Sequence, residues 1–209
     1  MTLVSLFSIG FIMGLTGAMA PGPLLTVAVS ESARRGGIVG PLLVLGHGIL
    51  EFALLILIVA GLGKLLSNPL LFTIMALSGG AVLVYMGVTT IKGLKHYRLE
   101  GGLSSSRKFN PVWTGIVVSV SNPYWFIWWL TVGTGYVVFA KALGLQGVLA
   151  FFLGHILSDL AWYSFVSYAI HFGGKLIKLP FIKGLLFLCS LFLIVFGLFF
   201  MFKGYQSLA

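Results

Sequence analysis

Six apolar runs divide the chain, and the polar positions inside them recur in a fixed order. The runs cover approximately Leu3–Glu31, Gly36–Leu62, Leu70–Ile91, Val112–Ala140, Leu143–His171 and Phe181–Phe202. A transmembrane helix needs about 20 predominantly apolar residues, so each run is long enough to cross a bilayer. The third and fourth carry no charged residue, the second carries only Glu51 and the fifth only Asp159. Two runs contain helix breakers near mid-depth: Ala20-Pro21-Gly22-Pro23 in the first and Asn122-Pro123 in the fourth. Proline removes a backbone donor and clashes with the preceding turn, and lipid supplies no replacement partner for the freed groups.

The order of features is the same in both halves. Pro21 corresponds to Pro123, Leu45-Gly46-His47 to Leu153-Gly154-His155, and Lys92-Gly93 to Lys203-Gly204. Between the halves, about 92–111, lies a basic connector with Gly101-Gly102 and Ser104-Ser105-Ser106, a composition that reads as flexible linker. Each half holds three spans, so the second half is expected upside down relative to the first. The expected fold is an all-α polytopic membrane protein, a single transmembrane domain over 1–209. It comprises two inverted three-helix repeats, about 1–93 and about 112–204, with helices 1 and 4 broken at Pro21-Gly22-Pro23 and Asn122-Pro123.

Composition agrees. Of 209 residues, 59% are hydrophobic and 8% charged, and mean hydropathy is +1.09. A soluble domain of this length cannot hide that much apolar surface. The net charge of +9 would suggest nucleic acid in a soluble chain, but here the basic residues fill the gaps between runs. One side of the membrane receives ten of them (Arg34, Arg35, Lys92, Lys95, Arg98, Arg107, Lys108, Lys175, Lys178, Lys183) and the other receives three (Lys64, Lys141, Lys203). The positive-inside rule places the ten in the cytoplasm, with both termini outside the cytoplasmic membrane. No basic residue precedes the first run, and Pro21 directly follows the only cleavage-like Ala18-Met19-Ala20, so this run reads as a retained helix rather than a signal peptide. Cys189 is the only cysteine, which excludes an intramolecular disulfide and a thiol relay.

The candidate chemistry sits at the breaks and after them. A helix restarting after Pro21-Gly22-Pro23 would present uncapped N–H groups and a positive dipole end, a seat for a carboxylate. A plain kink packed against its neighbours is the simpler reading of the same residues. Asn122 adds an amide at the second break, with Ser119 and Ser121 nearby, and Trp125 and Trp129 follow near mid-span rather than at the interface where tryptophan is common. Such rings line a pocket or meet a cation, or else simply pack. His47 with Glu51 and His155 with Asp159 are spaced i, i+4 and so share a helix face, where imidazole and carboxylate can bond and exchange protons. Intramembrane ionisable groups are costly and mark functional sites by default.

These residues resemble the LysE/RhtB family of amino-acid exporters. The likeness rests on Gly14-Leu15-Thr16-Gly17-Ala18-Met19-Ala20-Pro21-Gly22-Pro23, on Ser121-Asn122-Pro123, on the six spans and on the basic connector, and so extends over essentially the whole chain. It implies export of amino acids or related small metabolites driven by proton exchange, with Pro21, Gly22, Pro23, Asn122 and Pro123 at the central site. Trp125 and Trp129 are read as pocket-lining rings, and His47, Glu51, His155 and Asp159 as proton-coupling groups. A divalent-cation exporter is the alternative, because two imidazoles and two carboxylates can ligate a metal. No Walker loop, HExxH motif or nucleophile elbow is present, so an enzyme is not expected and no cofactor is implied. The expected partners are substrate, protons and lipid. The limited interior of six spans also accommodates a homodimer.

Overall fold

The computed structural model describes residues 1–61, 69–95, 110–173 and 179–207, all helix and short connection with no strand among them. Helix α1 (Leu3–Ala18) opens with a reciprocal cap, in which Ser5 N–H donates to Thr2 Oγ1 at 3.2 Å and Thr2 N–H to Ser5 Oγ at 2.8 Å. It stops before the first breaker. Gly22 (φ −143°) is extended, and Pro23 then opens α2 (Pro23–Arg35) at the first helical position, where its missing N–H has no cost. The two helices meet at 74°. Arg34 and Arg35 sit in the last turn of α2, where cations suit the helix dipole, and both pair with Glu31 at 3.2 and 2.6 Å.

Helix α3 (Val39–Val59) and α4 (Pro69–Leu94) follow. The second breaker acts like the first. Helix α5 (Pro111–Val120) ends, Asn122 caps the next start by accepting from Tyr124 N–H at 3.1 Å, and Pro123 opens α6 (Pro123–Trp128). A π-helical turn, Trp129–Gly133, leads into α7 (Thr134–Ala140). The Thr134 hydroxyl donates to the Trp129 carbonyl at 2.7 Å, satisfying an acceptor in the bulge. After a 3₁₀ turn, Gly144 (φ +66°) reverses the chain into α8 (Gly144–Gly173), so that α7 packs back against α8. Helix α9 (Leu179–Gln206) completes the described chain.

By length and composition, four helical runs among the described residues can cross a bilayer, five if α1 and α2 form one bent span. One of the four, Pro123–Gly173, holds 51 residues and contains the Gly144 turn. As a straight helix at 1.5 Å per residue it would greatly exceed the roughly 30 Å hydrocarbon core, so the turn is what makes it fit. Large apolar side chains such as Ile12, Phe52, Tyr85, Phe165 and Leu188 stand exposed around the outside, as lipid contact requires. The connector expected over 92–111 falls, from 96 to 109, outside the described residues.

Glycine decides which helices pair. Helices α1 and α8 approach so closely that a methyl group on Gly10 would strike the Phe151 carbonyl, and one on Gly154 the Phe7 carbonyl. Between α3 and α5 the same reciprocity joins Gly46 to the Val112 carbonyl and Gly115 to that of Leu43. Between α4 and α9, Gly80 and Gly197 each face the other's carbonyl. Close backbone contact of this kind drives helix association where lipid offers no hydrophobic force. The first two contacts also set the site, because His47 and His155 immediately follow Gly46 and Gly154.

Gly46→Ala and Gly154→Ala should each lower stability by about 1–3 kcal/mol through overpacking. Gly135→Ala, where an added methyl meets nothing within 4 Å, should not. Thermal unfolding of the purified protein in detergent checks the difference.

Candidate functional site

At the level of both helix breaks, α3 and α8 present their ionisable residues to each other. Glu51 is 1% exposed, Asp159 3%, His155 4% and His47 8%. Periodicity on each helix predicts two separate pairs, His47 with Glu51 and His155 with Asp159. The structure joins them into one four-membered cluster. His47 Nε2 lies 3.1 Å from Glu51 Oε1 and 3.6 Å from Asp159 Oδ2. His155 Nε2 lies 3.0 Å from Glu51 Oε2 and 3.5 Å from Asp159 Oδ2. The nearer acid of His155 is therefore Glu51, on the other helix. One ligand atom from each residue falls within 4.8 Å of all the others, so the set is also close enough to hold a divalent metal.

Glu51 is held further by the aromatic run. Trp125 Nε1 donates to Oε1 at 2.9 Å and Trp129 Nε1 donates to the same atom at 2.8 Å. An indole N–H can only donate, so Oε1 must accept from both. A proton carried by Glu51 is thereby confined to Oε2, the oxygen facing His155. The π turn makes this geometry possible. The Trp129 ring lies directly over Gly133, where a methyl group would strike it.

The two imidazoles differ in their outer nitrogens. His47 Nδ1 bonds Ser119 Oγ of α5 at 2.7 Å. Opposite His155 Nδ1 stands Gly14 of α1, whose added methyl would lie 2.7 Å from that nitrogen. His155 Nδ1 and Asp159 Oδ2 are buried without a hydrogen-bond partner among the described residues. The Trp128 ring stacks on His155, with centroids 4.6 Å apart and planes at 26°.

Two adjoining chambers open here. The smaller, about 70 Å³, is lined by the four ionisable residues together with Gly14, Ser119, Trp125 and Trp128. The larger, about 280 Å³, lies between the α1–α2 break and the helices α4 and α9. Gly17, Pro23, Leu24, Asn122, Tyr124 and Tyr163 border both. Pro21 and Gly22 line the larger chamber, Trp125 the smaller. Pro123 and Trp129 line neither. Pro123 packs on Gly79 of α4, and Trp129 lies behind Glu51 as a support. Asn122, expected as a ligand group, commits its oxygen to capping α6. In contrast, α2 starts without a side-chain cap, so the N–H groups of Leu24 and Leu25 have no side-chain acceptor. Sequence reading passed over Tyr163, although it stands at i+4 from Asp159 on the same face. Ser119, expected near the second break, bonds His47, and Gly14, part of the motif before the first break, lies against His155.

The chain matches the LysE type translocator family over residues 15–204. It is also similar to the "Putative amino acid efflux protein YcgF" of Bacillus subtilis (strain 168), 24% identical over 209 residues, covering 98% of this chain and 99% of that protein. No solved structure matches.

Trp125→Phe and Trp129→Phe each delete one donor to a buried carboxylate and should cost about 1.5–3 kcal/mol of stability. Because both donors serve one oxygen, the double variant should lose more than the sum of the two. Denaturation in detergent micelles measures all three.

Proposed function

The chain belongs to the LysE type translocator family, an integral membrane transporter and not an enzyme, and from this we propose that it exports amino acids in exchange for protons. The observation that carries the reading is the convergence of Glu51, Asp159, His47 and His155 beside two broken helices. The full-length similarity to a protein named for amino acid efflux supports the substrate class.

In this reading the substrate ammonium enters the smaller chamber beside Asp159 Oδ2, which has no hydrogen-bond partner among the described residues and only the longer 3.5 and 3.6 Å approaches of the two imidazoles. Its carboxylate meets the uncapped start of α2 at Leu24 and Leu25, where N–H groups and the helix dipole favour an anion. Charge balance supplies the coupling. Two imidazolium groups and two carboxylates sum to zero, and a net charge buried in this apolar interior is expensive. The substrate carboxylate is balanced separately by the N–H groups and dipole of α2, so an ammonium arriving beside the four-residue cluster leaves the smaller chamber with one excess positive charge and favours departure of one proton. His155, with a free Nδ1 and a short contact to Glu51 Oε2, is the group that releases it.

The architecture behind the exchange is two inverted three-helix repeats crossing the membrane six times: α1–α2, α3 and α4, then α5–α7, α8 and α9. The crossed pairing α1 with α8, α3 with α5 and α4 with α9 supports it, as does the reciprocal glycine in each pair. Rocking of one helix set against the other opens the site to each side in turn. The positive-inside rule puts the Arg34–Arg35 end of α2 in the cytoplasm and both termini outside. The same four donors within 4.8 Å support a second reading, a divalent-cation exporter. Protection from thermal unfolding by a divalent metal, without protection by amino acids, would favour it.

Counterflow in proteoliposomes against a panel of amino acids tests the first reading. Glu51→Gln and Asp159→Asn should each abolish exchange, and acidifying the outside should accelerate efflux from wild-type vesicles. Unchanged exchange in both variants would remove these acids from the mechanism, and efflux indifferent to external pH would remove the proton.

A further inference from the structure

The two chambers differ in chemistry as well as size. The smaller concentrates the ionisable groups, and at about 70 Å³ it has room for an amine and a few waters but not for a bulky side chain as well. The larger is several times bigger, and apart from the shared border and the break at Ala20, Pro21 and Gly22 its walls are Leu83, Phe192, Leu193 and Phe196, none with a side-chain donor or charge. Rings form a continuous wall: Phe192 stacks on Phe196 with centroids 4.4 Å apart, and Tyr124 meets Phe196 edge-on at 6.1 Å.

A zwitterion whose amine and carboxylate lie at the border, between Asp159 and the start of α2, has its Cα there too. Its side chain then has one space to enter. Asn122, Tyr124 and Tyr163 bring only neutral polar groups to its border, so a basic or acidic side chain would be stripped of water with no opposite charge among the described walls, whereas each methylene gains from leaving water. From this complementarity we infer that the preferred substrate is an amino acid with a bulky apolar or aromatic side chain, seated in the chamber between Leu83 and Phe196. The inference rests on the amino-acid export reading and narrows it.

The test uses the full-length protein in liposomes loaded with L-leucine, following uptake of labelled L-leucine against external competitors. Leucine and phenylalanine should compete at roughly tenfold lower concentrations than alanine, on the scale that a few buried carbons provide. Lysine and glutamate should compete weakly. Phe192→Trp, a half-buried position on the chamber wall, should weaken competition by phenylalanine more than competition by alanine. Alanine matching leucine, or lysine or glutamate competing as well as leucine, would overturn the assignment of the chamber and leave amino-acid export standing. Exchange of other amino acids without any exchange of leucine would do the same. Exchange of no amino acid at all would remove the export reading and this inference with it. The comparison of competitors on the wild-type protein stands even if the variant does not fold.

Discussion

A carboxylate almost sealed from solvent in an apolar bundle is the constraint around which this protein is arranged. Glu51 can remain there only if its oxygens are satisfied, and four nitrogens from four segments do so: one indole from α6, one from the π turn, one imidazole from its own helix α3, and one from α8. Each donor requires a particular backbone. The indoles need α6 to restart at Pro123 and the π turn to set Trp129 over Gly133. His155 reaches across because Gly40 lets α3 come up against the Tyr163 carbonyl and Ser167 of α8. The broken helices, the bulge and the glycine contacts thus share one electrostatic purpose.

Polar groups in this interior are also distributed unevenly. Apolar packing surrounds the cluster on both sides, Leu24, Val118 and Tyr163 belonging to one core and Trp125, Trp128 and Trp129 to another. Interactions among the four ionisable residues are strengthened by that low-polarity setting, and so is the cost of any imbalance among them. A site of this kind responds sharply to the charge of whatever enters, which distinguishes it from a water-filled pore lined by scattered polar groups.

The helix breaks were legible in sequence because proline acts locally: a ring without an N–H ends one helix and starts the next whatever surrounds it. Both breaks fall at the expected residues, Pro23 and Pro123 opening α2 and α6. The histidine–acid pairs were legible because ionisable residues are rare in apolar runs. Their cross-pairing was not, since i, i+4 periodicity describes one helix and cannot show that His155 lies nearer Glu51 than Asp159. Trp129 was read as pocket wall because proline numbering puts it near the break. The π turn rotates it behind the acid, and such a bulge leaves no compositional mark. Pro123 likewise faces α4 instead of the cavity, a matter of rotation about the helix axis that depends on packing against Gly79.

The surroundings of the two imidazoles differ at one informative pair of positions. Four residues after Gly115, on α5, Ser119 fills the space beside His47 and bonds its outer nitrogen; four residues after Gly10, on α1, Gly14 leaves the corresponding nitrogen of His155 bare. A hydroxyl at position 14 would not fit, because Ser158 and His155 already occupy the space a side chain would need. The two imidazoles therefore differ at the nitrogens through which, under the proposed exchange, protons would pass. One imidazole is tethered through both nitrogens. The other is fixed at Nε2 and by the face of Trp128, with its second nitrogen buried and unbonded. Two identical tethered imidazoles would give the cluster no preferred route for gaining or losing a proton. Under the proposed exchange, a tethered imidazole beside one with no bond at Nδ1 among the described residues would give it a direction, and Gly14 is what maintains the difference.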